Sequence, residues 1–294
     1  MSTTRRIRPR PRAVGRGAAA AVTAALVGAA GLVSAGTTAT AATTTTVAGT
    51  ATATTTTAAA AVTPPPVNAD FDYQIGTPYT PASGVKVVSR DHTASPVAGL
   101  YNICYVNAFQ AQPGTESEWG DLLLRDAQGK VVYDPDWDEA FLDIRTAAKR
   151  QRIADKVNAW TDDCAAKGFN AVEPDNLDSF TRTSLLSEAN AKAFVKLLSA
   201  HAHDKGLAIG QKNTPQLSTA RSETGLDFAV AEECGEWEEC GDYTEGYGDN
   251  VIAIEYKKAA FDAACTQWGK RLSIVLRDVY VTAPGSGTYV RKSC

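Results

Sequence analysis

Several familiar signatures are missing from this sequence, and each absence removes a class of chemistry. No Gly-x-Gly-x-x-Gly follows the first strand-like segment, so nothing supports a nucleotide site on a doubly wound open sheet. No Gly-x-Ser-x-Gly elbow and no His/Asp metal set occur, which disfavours an esterase or deacetylase. Cys-x-x-Cys is absent and the three histidines do not cluster with the cysteines, so zinc is not expected. His201 and His203 stand two apart on a helix and face different ways. Asp175-Asn176-Leu177-Asp178 lacks the spaced ligands and glycine of an EF-hand loop. Neither metal nor cofactor is therefore expected. Beyond the N-terminal region no long apolar run offers a membrane span.

The N-terminus reads as an address rather than as fold. Residues 1–16 carry six arginines and no acid, an apolar run of small residues spans about 17–34, and Ala39-Thr40-Ala41 is a small-x-small site. Together these describe a secretory signal peptide over residues 1–41, with Arg5-Arg6 leaving a twin-arginine route open. Residues 42–67 are almost entirely Thr and Ala and end in Pro64-Pro65-Pro66, a composition expected of a disordered linker. Residues 68–294 are then one folded domain of ordinary barrel size. Setting the six arginines aside leaves 23 basic against 33 acidic residues, a net charge of −10. Such a surface is a poor partner for nucleic acid or anionic membrane and suits a cationic substrate. The expected product is a secreted, extracellular monomer with no membrane span once the signal is removed.

All six cysteines fall in the folded part, and an even number in an exported chain points to disulfides. Cys234 and Cys240 are close enough to close a small loop. Cys294 can tie back to Cys265, which leaves Cys104 with Cys164 by elimination, although six cysteines admit about fifteen connectivities.

Short apolar segments alternate with amphipathic helices along the domain. Strands are expected at 71–76, 86–89, 101–106, 140–144, 170–173, 207–211, 228–231, 251–254 and 272–276. Ile153, Val157, Trp160 and Cys164 recur at helical spacing, and Lys167-Gly168 ends that helix. A second helix runs from a Ser187 cap to Lys205, with a short helix near 218–224 and another at 258–268. This rhythm predicts an α/β fold, a single-domain (β/α)8 TIM-like barrel. Nine candidate strands compete for eight positions, so one is extra or misread.

The chemistry gathers at strand ends. Asn170–Asn176 runs from apolar residues into Glu173, Asp175 and Asn176; Phe228–Cys234 runs into Glu232 and Glu233; Val251–Tyr256 runs into Glu255 and Tyr256. Leu207–Asn213 ends in Lys212 and Asn213, and Arg90-Asp91, Asp143 and Arg277-Asp278 are further polar ends. In a barrel such positions converge on the C-terminal mouth. Paired carboxylates there suit glycosidic cleavage, one protonating the leaving oxygen and the other attacking the anomeric carbon or activating water. Asp175 and Glu232 are the expected catalytic pair, with Lys212 able to keep one carboxylate ionised. Trp237 and Tyr256 are candidates to stack on sugar rings. The competing reading is a catalytically silent carbohydrate-binding barrel whose carboxylates form structural salt bridges.

In order along the chain stand Ile103-Cys104-Tyr105-Val106, Leu142-Asp143-Ile144-Arg145, Lys167-Gly168-Phe169, Glu173-Pro174-Asp175-Asn176, Lys212-Asn213, Glu232 with Cys234, and Glu255-Tyr256. This series resembles glycoside hydrolase family 114, the endo-α-1,4-polygalactosaminidases, across about residues 71–294. The resemblance implies a barrel that hydrolyses α-1,4-linked galactosamine-containing polymers, such as occur in microbial exopolysaccharide. It places the nucleophile at Asp175, after Glu-Pro, and the proton donor at Glu232. Substrate-binding residues are then expected at Tyr105, Asp143, Glu173, Asn176, Lys212, Asn213, Trp237, Glu255 and Tyr256. The chain departs from the family pattern in carrying Glu233 where an amide is usual, and in a segment from Lys86 to Gly99 too short for a full crossover helix.

Overall fold

The computed structural model describes residues 62–294. The expected signal peptide and most of the expected linker lie outside the described residues. Of the linker, residues 62–67 are described: Pro65 is buried, and the Tyr101 hydroxyl donates to the Thr63 carbonyl at 2.7 Å.

The strands in chain order are β1 (Phe71–Gln74), β2 (Val87–Asp91), β3 (Tyr101–Asn107), β4 (Gln110–Ala111), β5 (Ala140–Phe141), β6 (Ala171–Asp175), β7 (Ala208–Lys212), β8 (Phe228–Glu232), β9 (Val251–Glu255), β10 (Ser273–Arg277) and β11 (Arg291–Ser293). The helices are α1 (Glu116–Trp119), α2 (Ala147–Lys167), α3 (Ser179–Arg182), α4 (Glu188–Asp204), α5 (Arg221–Thr224), α6 (Cys240–Tyr247) and α7 (Lys258–Trp268). Strands β1, β2, β3, β6, β7, β8, β9 and β10 pair in parallel in that order. They form the eight-stranded barrel, and β11 pairs antiparallel to β10 as the one extra strand. β1 and β10 meet through side chains. The Ala69 N–H donates to Ser273 Oγ at 2.9 Å, Asn68 Nδ2 donates to the Leu272 carbonyl at 3.0 Å, and Arg277 Nη1 lies 3.4 Å from Asp72 Oδ1.

Two strand expectations are corrected. The apolar run 140–144 does not enter the barrel; its first two residues form β5, which pairs with β4 in a separate antiparallel ribbon. A run as short as Ala-Phe-Leu before Asp143 carries no period that separates a barrel strand from a ribbon strand. The extra sheet strand is instead β11, whose Arg-Lys-Ser composition gives no apolar signal.

The connections β1–β2 and β2–β3 carry no helix among the described residues, and a buried polar network stands there instead. Asp72 accepts from Gln74 Nε2 at 2.9 Å and from the Tyr79 hydroxyl at 2.8 Å. Arg90 donates to Gln74 Oε1 at 3.0 Å and to the Ser95 and Tyr79 carbonyls. Buried charge is costly unless it is paired and hydrogen-bonded, and these groups are.

Helix α2 begins where Thr146 Oγ1 accepts from the Lys149 N–H, and it ends at Gly168, whose φ of 91° lies in the left-handed region that glycine tolerates. It buries Ile153, Val157, Thr161 and Cys164 along one face. Helix α4 carries a capping box: Ser187 Oγ accepts from the Asn190 N–H, and Asn190 Oδ1 accepts from the Ser187 N–H. Its buried face includes Phe194, which meets Phe109 edge-on at 4.9 Å.

Because side chains alternate across a strand, the barrel sorts its residues into two sets. One set packs in the interior: Phe71, Val87, Ile103, Ala171, Ala208, Phe228, Val230, Ile252, Ile254 and Val275. The other set, including Cys104, Val106, Val172, Ile209, Ala229, Ala231, Ala253, Ile274 and Leu276, packs beneath the helices. Gly210 gives the Phe228 ring its space, since a Cβ there would sit 2.9 Å from it.

Candidate active site

Two residues further along the interior face, apolar gives way to polar. Phe71 leads to Tyr73, Val87 to Ser89, Ile103 to Tyr105, Ala171 to Glu173 and Asp175, Val230 to Glu232, and Ile254 to Tyr256. On β7 the same face reaches Lys212. The pleat therefore assembles these groups without any special loop.

Lys212 stands at the centre, fully buried. Its Nζ donates to the Tyr73 hydroxyl at 2.9 Å and lies 3.1 Å from Glu173 Oε1, 3.4 Å from Asp175 Oδ1 and 3.4 Å from Glu232 Oε2. Burial works against its charge, but Asp175, Glu232 and Glu173 together outweigh that and raise its pKa above the ordinary lysine value. Glu173 accepts from Tyr73 at 2.9 Å and from Ser89 Oγ at 2.7 Å. Burial pushes its carboxyl above the usual range, with Lys212 and Ser89 opposing.

Asp175 Oδ2 accepts from the Tyr105 hydroxyl at 2.5 Å and Oδ1 from the Asn176 N–H at 2.7 Å. Glu232 Oε1 accepts from the Tyr256 hydroxyl at 2.6 Å and Oε2 from Asn213 Nδ2 at 3.0 Å. Asn213 Oδ1 in turn accepts from the Glu232 N–H at 2.9 Å. Exposure grades outward along the site: the side chains of Glu173, Asp175 and Glu232 are 0%, 4% and 14% exposed.

Three strands end in the same way. Asn176 (φ 67°), Asn213 (φ 55°) and Glu233 (φ 61°) directly follow the last residues of β6, β7 and β8 in left-handed backbone. Such conformations cost about 1–3 kcal/mol for residues other than glycine and gather at functional sites. Asparagine tolerates them best, and here the Asn213 side chain is clamped to Glu232 by two hydrogen bonds.

Not every expected residue joins this ring. Asn176 Nδ2 donates to Asn107 Oδ1 at 2.8 Å, and its Oδ1 accepts from Arg182 Nη2 at 3.1 Å. It thereby belongs to a network in which Asn107 also bonds Glu139, and Arg182 bonds Asp134 and Asp178. That network docks the segment bearing the β4–β5 ribbon onto the ends of β3 and β6. Asp143 is held by Arg145 Nε at 2.7 Å and Lys149 Nζ at 2.7 Å. Burial opposes its charge, but these bonds prevail and hold its pKa down at about 2. Both partners lie at or near the start of α2, and among the described residues no bond joins Asp143 to the ring.

Glu255 takes the opposite face of β9 from Ile254 and Tyr256. Its Oε1 accepts from the Gly235 N–H at 2.7 Å, next to α7, and burial pushes its pKa up to about 7. Trp237 is partly buried in the loop after β8, and its N–H donates to the Glu233 carbonyl at 3.0 Å. No bond joins its indole to the ring. His201 and His203 pair with different residues, Asp162 at 2.7 Å and Asp227 at 2.8 Å.

Tyr73 and Ser89 are ring members that the sequence reading missed. Their only signal is parity: each lies two residues beyond an apolar interior position. The disulfides are Cys104–Cys164, Cys234–Cys240 and Cys265–Cys294, the pairing that spacing favoured. Cys234 and Cys240 crowd Glu255, but their sulfurs are bonded to each other and offer no thiolate to a metal. A cavity of about 490 Å³ beside Cys265 and Cys294 shares no residue with the ring.

Over residues 51–294 the sequence matches the model of glycoside-hydrolase family GH114. No curated protein matches it. Among solved structures, the fold is similar to Aspergillus fumigatus Ega3, determined in complex with galactosamine. The TM-score is 0.64 at 20% identity, covering 80% of this chain and 99% of that one. It is also similar to the glycoside hydrolase domain of PelA from Pseudomonas aeruginosa, with a TM-score of 0.51 at 14% identity, covering 74% of this chain and 97% of that one.

Proposed function

The chain belongs to glycoside-hydrolase family GH114, and from that premise we propose that it is an exported endo-glycosidase cleaving α-1,4-linked galactosamine-containing polysaccharide with Asp175 and Glu232. The observation that carries the reading is the shared lysine. Asp175 Oδ1 and Glu232 Oε2 each lie 3.4 Å from Lys212 Nζ, so these oxygens are at most twice that, 6.8 Å, apart. That bound, on the two oxygens nearest the lysine, admits the roughly 5–5.5 Å spacing of a retaining pair.

Asp175 is the nucleophile. The Tyr105 hydroxyl, the Asn176 N–H and Lys212 hold its two oxygens in place. Glu232 is the proton donor, because it reaches solvent and must exchange a proton in each turnover. Its Tyr256 partner is a hydroxyl, which donates to the carboxylate or accepts from the acid as needed. Asp175 attacks the anomeric carbon while Glu232 protonates the leaving oxygen. Glu232 then takes a proton from the water that releases the glycosyl-enzyme.

The substrate class is supported by the family, by the galactosamine bound to Ega3, and by charge. A net charge of −10 over the chain without its first 16 residues favours a polymer with free amines. Export is supported by the basic, then apolar N-terminus and by three disulfides; no helix among the described residues is long and apolar enough to cross a membrane. The enzyme acts as a monomer. Digestion of partly de-acetylated α-1,4-galactosamine polymer by the full chain tests the reading. A ladder of oligosaccharides by mass spectrometry, with the α-anomer appearing first by NMR, is expected. Retained binding with no cleavage would favour a silent binding barrel, and a β-anomer appearing first would overturn the retaining assignment.

A further inference from the structure

Glu173 was expected from sequence to bind substrate, yet its side chain is fully buried beneath Asp175 on the same face of β6. Its hydrogen bonds have a fixed direction. Lysine only donates, so Tyr73 accepts from Lys212 and spends its own proton on Glu173 Oε1. That oxygen thus receives two donors, Tyr73 and Lys212, as an ionised carboxylate does. The contacts of Lys212 also fall into two classes. The two shorter ones, 2.9 and 3.1 Å, go to Tyr73 and Glu173, and the two longer ones, both 3.4 Å, go to Asp175 and Glu232.

We propose that Glu173 is a positioning residue for the reaction. It anchors the Lys212 ammonium between Asp175 and Glu232 and offsets the charge that the ammonium presents to them. The proposal rests on the reading of those two carboxylates given above. A lone ammonium 3.4 Å from both would favour the charged form of each. Paired with Glu173, the lysine still orients the two groups but presents little net charge. The other groups facing this centre are Tyr73 from β1, Ser89 from β2, Tyr105 from β3 and Tyr256 just after β9, with apolar Val275 from β10. Arg277 is engaged elsewhere, with Asp72 and the Thr282 and Val290 carbonyls.

The test is the pH profile of kcat/KM on the galactosamine polymer for the full chain and for Glu173→Gln, with Asp175→Asn and Glu232→Gln alongside. Glu173→Gln removes a negative charge, so each remaining carboxyl loses its proton more readily. Both limbs of the bell are expected to move toward lower pH by about one unit. Ser89→Ala removes one donor to Glu173, disfavours its charge, and should move the limbs the same way by less. It carries the test should Glu173→Gln fail to fold.

Unmoved limbs in the folded variants, whether the rate is unchanged or lowered at every pH, would overturn the positioning role. Loss of activity in Glu173→Gln at every pH, to the level of Asp175→Asn, would make Glu173 a reacting group and also overturn it. In both cases the carboxylate reading stands if Asp175→Asn and Glu232→Gln are inactive. If either keeps the parent rate, that reading falls instead, and the positioning role with it.

Discussion

Replacing Lys212 with methionine keeps most of the apolar stem, one atom shorter, while removing the charge at the centre of the ring. In the native chain Nζ lies within 3.4 Å of three carboxylates, one fully buried, one nearly so and one partly exposed. Removing one partner of a buried ionic cluster leaves uncompensated charge and typically costs about 3–5 kcal/mol. The pH dependence follows from the signs. The pKa of Lys212 is raised, so its contribution is complete below the unfolded lysine value and is lost only as pH climbs through the folded one. The native chain therefore gains no slope from Lys212 between pH 5 and 8.

In the variant, Glu173 loses its main counter-charge while burial still raises its pKa. A carboxyl with a raised folded pKa costs stability as pH rises through that value. Urea unfolding at pH 8 should show a deficit of about 3–5 kcal/mol, shrinking by ~1 kcal/mol or more at pH 5. Adding Glu173→Gln to Lys212→Met should restore ~1 kcal/mol or more at pH 8, because it removes the stranded charge. A deficit under ~1 kcal/mol that is the same at both pH values would refute the view of Lys212 as the counter-ion of a buried cluster.

Tyr105→Phe deletes the 2.5 Å buried bond to Asp175 and should lower kcat/KM about 10- to 100-fold in steady-state assays, with a stability loss of about 1–3 kcal/mol in urea unfolding. Asp143→Asn should leave activity intact and cost about 1–2 kcal/mol at pH 7, discounted because Arg145 and Lys149 are partly exposed. Since the pKa of Asp143 is depressed to about 2, that cost should fade in acid melts as pH drops below about 4 toward 2. Glu255 has the opposite sign: with its pKa raised to about 7, its ionisation destabilises the fold above that pH. Glu255→Gln should therefore melt higher than the parent at pH 8.5, by the equivalent of about 1–3 kcal/mol, and show no gain at pH 5.

Much of the site was legible because barrel strands are short apolar runs that end in charge. Asp175, Lys212 and Glu232 were visible as strand-end residues, and the structure gathers them around one nitrogen. Parity was harder to read. Barrel strands are buried on both faces, so sequence alternation does not say which residues point inward. Ile254-Glu255-Tyr256 shows the consequence: Tyr256 joins Glu232, and Glu255 turns outward to Gly235. Tyr73 and Ser89 escaped notice for the same reason, as ordinary strand residues whose value appears only when β1 and β2 close beside β6. The ribbon strand at Ala140–Phe141 passed for a barrel strand because nothing local distinguishes the two. β11 was invisible because its partners are fixed by the chain doubling back on β10 rather than by composition.

The central claim is that Asp175 and Glu232 perform the cleavage, and kcat/KM on partly de-acetylated α-1,4-galactosamine polymer for Asp175→Asn and Glu232→Gln tests it most directly. Both variants should fold as the parent does and lose ~100-fold or more in rate. Parent-like cleavage by either folded variant would contradict it.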